Sequence, residues 1–380
     1  MGLRDLFRRG GGTPGPDGAP APEEPSADPR GAPGTAESPK VIEITLKAVD
    51  VLPGLLDERI RRLGPTHPDT VRMGLDLARA FAHAGRRTEA LDLYQQVCGT
   101  RAATLGATHP DTLDVSAEAA ALLHVDGQPV TAEEMWRFVF DARAETLGPA
   151  DPGTLEAACG LAQALDELGR APEAAALWQH VVDHRTRRLG ADHPDTLTAL
   201  HNLAASLLRT ERPAEAERLL RRLLSVRRAR GDDGSSLLDV RNNLAAVLYR
   251  RGALAEAEAE FRVLVADEER LVGADHPHTV TARNNLAAVL HDLGRLEEAE
   301  SLLRSVLSAR ERTLGESHLE THGARDNLAS VLVARGGGRE REAARLLERC
   351  LGGYRALLGD GHPKTRAARE KLAALTAPGA

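Results

Sequence analysis

Asparagine recurs at a regular interval in the second half of this 380-residue chain. The members of this asparagine ladder, each 41 or 42 residues after the last, are Asn202, Asn243, Asn285 and Asn327. A side-chain amide both donates and accepts hydrogen bonds, so a ladder of amides can bind the backbone of an extended peptide whatever its sequence. The alternative is structural, with each amide bonding a neighbouring helix and setting the spacing between repeats.

The asparagine ladder is confined to one half of the chain. The matching positions in the first half hold Asp76, Glu118 and Gly160, so the candidate peptide site falls within residues 197–335. Six further polar residues close to the ladder are candidates for the same site: His201, Asn242, Asn284, Tyr249, Arg250 and His291.

Arginine forms a second ladder, with Glu268 in place of one member. The members of this arginine ladder are Arg59, Arg101, Arg143, Arg185, Arg227 and Arg310. One interpretation is a basic stripe that binds an acidic peptide. The favoured interpretation is structural, because cations at the C-terminus of a helix are stabilised by its dipole and can bridge to an Asp that opens the next unit.

Histidine and cysteine offer no catalytic or metal site. One histidine recurs in most units: His67, His109, His193, His276, His318 and His362. Helices in neighbouring units lie about 8–10 Å apart, whereas zinc ligands must all lie about 2.0–2.3 Å from one ion, so these histidines are predicted to be loop or cap residues. Cys98, Cys159 and Cys350 are far apart and are expected to be reduced thiols. We predict no enzymatic activity, no cofactor and no bound metal.

The elements that carry these residues follow a repeat of 42 residues. It is marked by Gly64, Gly106, Gly148, Gly190, Gly231, Gly273, Gly315 and Gly359, which are 41 to 44 residues apart. Each unit predicts a helical hairpin. Helix A opens with His-Pro-Asp-Thr in most units, where Pro at the first position gives up an N–H that would be unpaired anyway. A turn, usually with Gly, leads to helix B.

Two small residues and one large residue per unit predict how the helices pack. Helix A carries Ala78, Ala120, Ala162, Ala204, Ala245, Ala287, Ala329 and Ala373, while helix B carries Ala48, Ala90, Ala132, Ala174, Ala216, Ala257, Ala299 and Ala343. Four residues after the second alanine comes a large residue: Leu52, Tyr94, Trp136, Trp178, Leu220, Phe261, Leu303 or Leu347. Small residues let helices cross closely, and the large residue fills the space one turn further on.

These positions resemble the tetratricopeptide repeat, and the wording LGxxHPDT…NNLA…GRxxEAExL is similar to its kinesin light chain variety. The resemblance covers about residues 46–376 and implies an all-α, right-handed superhelical solenoid of antiparallel helix pairs. It also implies that helix A lines a concave groove, where asparagines bind the backbone of a peptide. The departures are Ala119 in unit two, Ala-Asp-Pro-Gly at residues 150–153, and a fifth unit that opens without His-Pro.

The two ends of the chain differ from the repeats. Residues 1–45 are predicted to be a disordered tail that starts with the short amphipathic segment MGLRDLFRR. Residues 1–9 are expected to be inert; contact with a membrane surface and docking into the protein's own groove are the alternatives. Residues 46–63 read as a lone helix B kinked at Pro53, and residues 363–376 as a lone helix A, so each caps an end of seven helix pairs.

Composition and net charge limit the classes of partner that the chain is expected to bind. Aromatic residues make up 3% of the chain and the net charge is −7, which argues against a nucleic-acid partner. No long apolar run or signal peptide is found, which predicts a cytoplasmic protein, and abundant Ala, Arg and Gly suggest a bacterial source. We predict a non-catalytic adaptor or scaffold that binds a peptide segment of another protein. The alternatives are a regulatory sensor array that controls a partner enzyme and a self-assembling scaffold.

Overall fold

The computed structural model describes residues 39–232 and 234–376. Every regular element in that part is an α-helix. The B-type helices are α1 (Pro39–Leu63), α3 (Arg87–Leu105), α5 (Pro129–Thr146), α7 (Ala171–Leu189), α9 (Pro213–Arg230), α11 (Leu254–Leu271), α13 (Leu296–Thr313) and α15 (Glu340–Leu358). The A-type helices are α2 (Pro68–His83), α4 (Pro110–Val125), α6 (Pro152–Glu167), α8 (Pro194–Leu208), α10 (Gly234–Arg250), α12 (Pro277–Asp292), α14 (Leu319–Arg335) and α16 (Pro363–Thr376). The prediction of an all-α array of helix pairs is confirmed.

The two predicted lone helices are α1 and α16. Helix α1 begins at Pro39, before the predicted start at residue 46, and continues through Pro53. Proline is well suited to the first position of a helix, and neither Pro nor Gly follows until Pro53. The predicted amphipathic start at residues 1–9, and the predicted tail as far as residue 38, lie outside the described residues.

The recurring histidines cap the A helices, as predicted. In α2, α4, α8, α12, α14 and α16, the histidine before the first helical residue accepts a hydrogen bond at Nδ1 from the backbone N–H two residues on, at 3.1–3.4 Å. In α6, Asp151 takes the same place and accepts from the N–H of Gly153 at 2.8 Å. The third repeat, in which Ala-Asp-Pro-Gly replaces His-Pro-Asp-Thr, therefore keeps the same helix start, because Asp is also a strong N-cap residue.

The two alanines of each unit lie at the helix crossings. Seven of the helix A alanines, from Ala78 to Ala329, and seven of the helix B alanines, from Ala90 to Ala343, are fully buried. The large residues from Tyr94 to Leu347 are buried beside them. At the turns between the two helices, Gly85 and Gly127 have φ angles of 74° and 73°, which a side chain would make unfavourable.

The described chain forms two compact units, each made of several repeats. They are called the first unit, residues 39–210, and the second unit, residues 211–376. Within each unit, every helix packs on the helices before and after it in sequence. Among the A helices, the backbones of α4 and α6 and of α12 and α14 approach each other most closely. Nearest-neighbour packing of this kind is typical of a solenoid, in which each repeat is stabilised by the adjacent repeats.

Candidate functional site

The A helices carry the predicted site residues, and the surface made by the exposed sides of these helices is called the A-face here. One A-face belongs to α2, α4, α6 and α8 in the first unit, and the other to α10, α12, α14 and α16 in the second. In both units, polar side chains on one A helix reach those on the next. The contacts define what each A-face can offer to a ligand.

An arginine–glutamate pair joins α2 to α4 in the first unit. The guanidinium of Arg79 donates two hydrogen bonds to the carboxylate of Glu118, at 2.8 and 2.5 Å, and the hydroxyl of Tyr94 donates a third at 3.1 Å. Burial opposes ionisation of Glu118, but these donors outweigh it and lower the pKa of Glu118. Glu118 of α4 is therefore an anion that links α4 to α2 through Arg79 and to α3 through Tyr94.

A second polar cluster joins α6 to α8. The carboxylate of Asp166 accepts hydrogen bonds from the hydroxyl of Ser206 at 2.7 Å and the indole N–H of Trp178 at 3.1 Å, and it pairs with Arg209. Burial raises the pKa of Asp166 even though these donors act in the opposite direction. Between α4 and α6, His124 lies 3.3 Å from Glu167, which raises the pKa of the imidazole.

The second unit has its own contacts between A helices. The hydroxyl of Tyr249 donates to Asp292 at 2.7 Å, and the other carboxylate oxygen of Asp292 lies 3.0 Å from Nδ1 of His291. Burial, together with this hydrogen bond, raises the pKa of Tyr249. Between α14 and α16, the ammonium of Lys371 donates to Asp326 at 2.8 Å. The predicted site residues Tyr249 and His291 thus belong to one network.

Members of the asparagine ladder differ widely in exposure. Asn202 and Asn327 are partly exposed, whereas Asn243 is 5% and Asn285 1% exposed. The candidate Asn284 is completely buried, and its side-chain oxygen accepts a hydrogen bond from the amide of Asn327 at 2.9 Å. That bond is the helix-to-helix contact of the structural alternative. Peptide contact by the ladder stays a prediction, and three of the candidate amides lie below the surface.

The other candidates lie nearer the surface. His201 and Asn242 are partly exposed, and Arg250 is exposed at the end of α10. Because His201 belongs to the first unit and the other two belong to the second, the candidates are spread over two A-faces.

Gly160 occupies the ladder position beside a tryptophan. A Cβ atom at Gly160 would lie 2.3 Å from the indole ring of Trp136, on the preceding helix B. Glu118, at the same position one repeat earlier, accepts a hydrogen bond from Tyr94 of its preceding helix B. At Gly160 the tryptophan ring therefore occupies the space that a side chain would need.

Three recurring arginines of the second unit, two of them buried, were not singled out from the sequence. Arg241, Arg283 and Arg325 lie two residues before ladder asparagines and pair with helix B acids: Glu260 at 2.9 Å, Glu269 at 2.7 Å and Glu311 at 2.6 Å. Their spacing of 42 residues was visible in the sequence. Only the structure shows that Arg241 and Arg325 are buried and Arg283 partly buried, since a recurring arginine is usually assigned to the surface.

The arginine ladder has the structural role that was favoured. Arg101, Arg143, Arg185 and Arg310 each donate from Nη1 to the backbone carbonyl of the residue ten positions on, in the first turn of the next helix A, at 2.6, 2.9, 3.0 and 3.1 Å. Arg143 also pairs with Asp114 at 2.6 Å. These guanidinium groups join consecutive repeats.

Glu268 interrupts the arginine ladder with a buried acid. It is 4% exposed, and one of its carboxylate oxygens has no hydrogen-bond partner. Burial, with a contribution from Asp239, raises the pKa of Glu268 to about 7. The fifth repeat therefore holds a group that titrates near neutral pH at the position where members of the arginine ladder hold a permanent cation.

The cysteines have the environment of unreactive thiols. Burial raises the pKa of Cys98, of Cys159 to about 11, and of Cys350, whose thiol donates to the carbonyl of His322 at 3.2 Å. A thiol is nucleophilic only as the thiolate, so these shifts lower reactivity. Across the described residues, no group of three or more His, Cys, Asp or Glu side chains is arranged to hold a metal ion.

Comparison with known families decides what the repeats are. Two profiles described as tetratricopeptide repeat match, one at residues 167–229, 236–312 and 278–356, and the other at residues 73–111. Together the matched segments cover more than half of the chain. This chain belongs to the tetratricopeptide repeat family. No curated protein matches the tetratricopeptide chain as a whole.

Solved tetratricopeptide structures are similar to this chain. A kinesin light chain repeat protein from Podospora anserina is 26% identical, with 65% of this chain and 98% of that one covered and a TM-score of 0.38. A tetratricopeptide protein from Parabacteroides merdae is 15% identical over 81% of this chain and 99% of its own, with a TM-score of 0.54. A Signal Transduction ATPase with Numerous Domains from Pyrococcus horikoshii, which has a tetratricopeptide sensor, is 12% identical over 90% of this chain and 50% of its own, also with a TM-score of 0.54.

The last two structures share the fold of this chain. None of the helices described for it combines the length and apolar character that a membrane span requires.

Proposed function

We propose that this tetratricopeptide protein is a cytoplasmic, non-catalytic adaptor whose A-faces bind a peptide segment of another protein. The observation that supports the proposal is the series of polar contacts that run from one A helix to the next in both units. An extended segment that crosses such helices meets a donor or an acceptor at each repeat. Backbone recognition of this kind accepts peptides of varied sequence.

The exposed candidates are assigned to contact the peptide and the buried ones to position them. Asn202 on the first A-face, and Asn242 and Arg250 on the second, have side-chain surface available to a ligand. Asn284 supports the amide of Asn327 from below through its 2.9 Å hydrogen bond. This division keeps the predicted site within residues 197–335 but reduces the number of residues that touch the partner.

The test begins with selection of binding peptides from a phage-displayed random library on the full chain. Affinity for a selected peptide is then measured by calorimetry for a double variant within the second unit, Asn242→Ala and Arg250→Ala. Loss of two polar contacts worth about 0.5–1.5 kcal/mol each should weaken binding about 30-fold. The matched control replaces Arg341 and Arg345, exposed arginines of a B helix, with alanine and should bind normally. An equal loss in both variants would contradict the proposal.

A second candidate function is a regulatory sensor, favoured by the fold shared with a protein whose tetratricopeptide array is described as a sensor. A sensor must change shape when its ligand binds, whereas an adaptor need not. Small-angle scattering of the chain with and without a selected peptide separates the two. An unchanged scattering profile at saturation favours the adaptor.

A further inference from the structure

A strongly basic helix surface lies outside the A-faces. Helix α9 contains six arginines against two glutamates, whereas α11, the next helix B, contains six acids against two arginines. Only one of the six, Arg227, belongs to the arginine ladder. The excess of arginine in α9 is therefore not explained by the repeat.

Three of these arginines have no acidic partner among the described residues. Arg221 is held by Glu217 at 2.8 Å and by Glu256 at 2.5 Å. By contrast, Arg218, Arg222 and Arg228 are exposed, and in the part of the chain that the structure describes no acidic side chain lies within ion-pair distance of them. At helical spacing the three lie on one side of α9 together with Ser225, so their charges add on a single surface.

A cleft lies beside this surface within the second unit. Its volume is about 300 Å³, and it is lined by Arg221, Leu224, Ser225, Arg228, Leu244 and Glu260. Leucines form its apolar part, while Glu260 is already paired with the buried Arg241 at 2.9 Å. The cleft thus combines room for an apolar side chain with the uncompensated charge of Arg228.

We propose that this surface, consisting of α9 and its cleft, binds a short acidic segment of another protein that carries an apolar side chain. Carboxylates match the fork of a guanidinium in geometry and charge, and an apolar side chain fills the cleft. The binding surface is separate from the peptide site proposed on the A-faces, and neither depends on the other.

Charge distribution favours a short peptide over other anionic partners. A nucleic acid or a membrane extends well beyond one helix and would meet the acids of α11 and a chain of net charge −7. Among the described helices α11 carries the largest excess of acids over arginines and lysines, so it is the surface that a second copy of this chain would offer to α9. The acids of α11 are largely engaged, since Glu258 pairs with Arg262 and Glu269 with Arg283.

The test uses the full chain and a fluorescein-labelled peptide of sequence EELEEDLEEL, with binding followed by anisotropy. We expect the triple variant Arg218→Glu, Arg222→Glu and Arg228→Glu to lower affinity at least tenfold. A matched variant, Arg188→Glu, Arg341→Glu and Arg345→Glu, carries the same change in net charge and should stay within twofold. Both variants should melt like the wild type, because all six side chains are exposed.

Four results would overturn the proposal. The first is no binding of the peptide to the wild-type chain at millimolar concentration, and the second is an equal loss of affinity in both variants. The third is tighter, equally arginine-dependent binding to phosphatidylglycerol vesicles or duplex DNA. The last is a doubling of mass in light scattering that the α9 variant abolishes, which would assign the surface to a second copy of the chain.

Discussion

The two units use the same two positions of helix A in different ways. Four residues before the buried alanine, the first unit has small or apolar residues, Gly74, Ser116, Ala158 and Leu200, and the second unit has Arg241, Arg283 and Arg325. Two residues before the alanine, the first unit has Asp76, Glu118, Gly160 and Asn202, and the second has Asn243, Asn285, Asn327 and Lys371. In the second unit Arg241 and Arg325 are buried, and each of the three arginines pairs with a glutamate.

This contrast shows how one repeat produces two kinds of surface. In the first unit the inner position is apolar, and charged groups such as Asp76 and Arg79 remain at the surface. In the second unit the buried arginines need their partners, because an unpaired buried charge is costly. We therefore expect the first unit to tolerate changes on its A-face and the second to respond to them with loss of stability.

The largest effect is expected from removing a buried arginine of the second unit. Arg325 is 1% exposed, pairs with Glu311 at 2.6 Å and donates to the carbonyl of Glu316 at 2.7 Å. Arg325→Ala should destabilise the chain by about 3 kcal/mol in urea unfolding. Hydrogen exchange should place the loss within residues 211–376.

The comparison in the first unit, which has no arginine at that position, is Arg72→Ala, which removes an exposed A-helix arginine paired with Asp69 at 2.6 Å. It should cost less than about 1 kcal/mol, as is usual for a surface pair. Equal losses at Arg325 and Arg72 would remove the contrast between the units.

A second change places the ladder asparagine at Gly160 of the first unit. Gly160→Asn should cost about 2–3 kcal/mol, because its Cβ would lie 2.3 Å from the ring of Trp136. Adding Trp136→Leu, the residue type that precedes Asn243 and Asn327 at Leu220 and Leu303, should recover at least half of that loss. Denaturation of the two single variants and the double variant gives the coupling energy. Strictly additive losses would mean that Trp136 is not what excludes the asparagine.

A third change concerns the break in the arginine ladder. Burial and Asp239 raise the pKa of Glu268 to about 7 in the folded chain. In the unfolded chain a Glu side chain loses its proton near pH 4.3. Stability therefore falls as pH rises from about 4.5 to 7 and stays low above that. Relative to Glu268→Gln, the wild type should lose about 2–3 kcal/mol between pH 5 and pH 8.

Urea denaturation at four pH values measures this difference. The control is Arg143→Gln, at the matching position of the first unit, which lacks a titrating group and should shift stability by the same amount at every pH. Parallel pH profiles for the wild type and Glu268→Gln would contradict the assignment.

The smallest effect separates two members of the asparagine ladder. Asn327→Ala should cost about 1–2 kcal/mol, because it leaves the buried oxygen of Asn284 without its 2.9 Å donor. Asn202→Ala should change stability by less than about 0.5 kcal/mol, because Asn202 is partly exposed. Thermal melting followed by circular dichroism measures both. A larger loss at Asn202 would reverse the assignment of structural and binding roles.

The sequence was sufficient for the repeat and for most of its helix boundaries. The period of 42 residues, the His-Pro openings and the paired alanines predict local structure, and local structure depends on residues close in sequence. The histidine caps and the bridging role of the arginine ladder could be inferred for the same reason, since each joins residues no more than ten positions apart.

The exposure of each ladder asparagine was decided only by the tertiary structure. Asn202 and Asn285 occupy equivalent positions, yet one is partly exposed and the other is 1% exposed. Contacts at this level join residues about 40 positions apart, such as Asn284 and Asn327. Trp136 limits what fits at residue 160 through a contact between α5 and α6, and periodicity does not reveal that contact. Periodicity assigns a residue to one face of a helix, but burial is set by how closely the next helix packs, and that depends on the volume of both side chains.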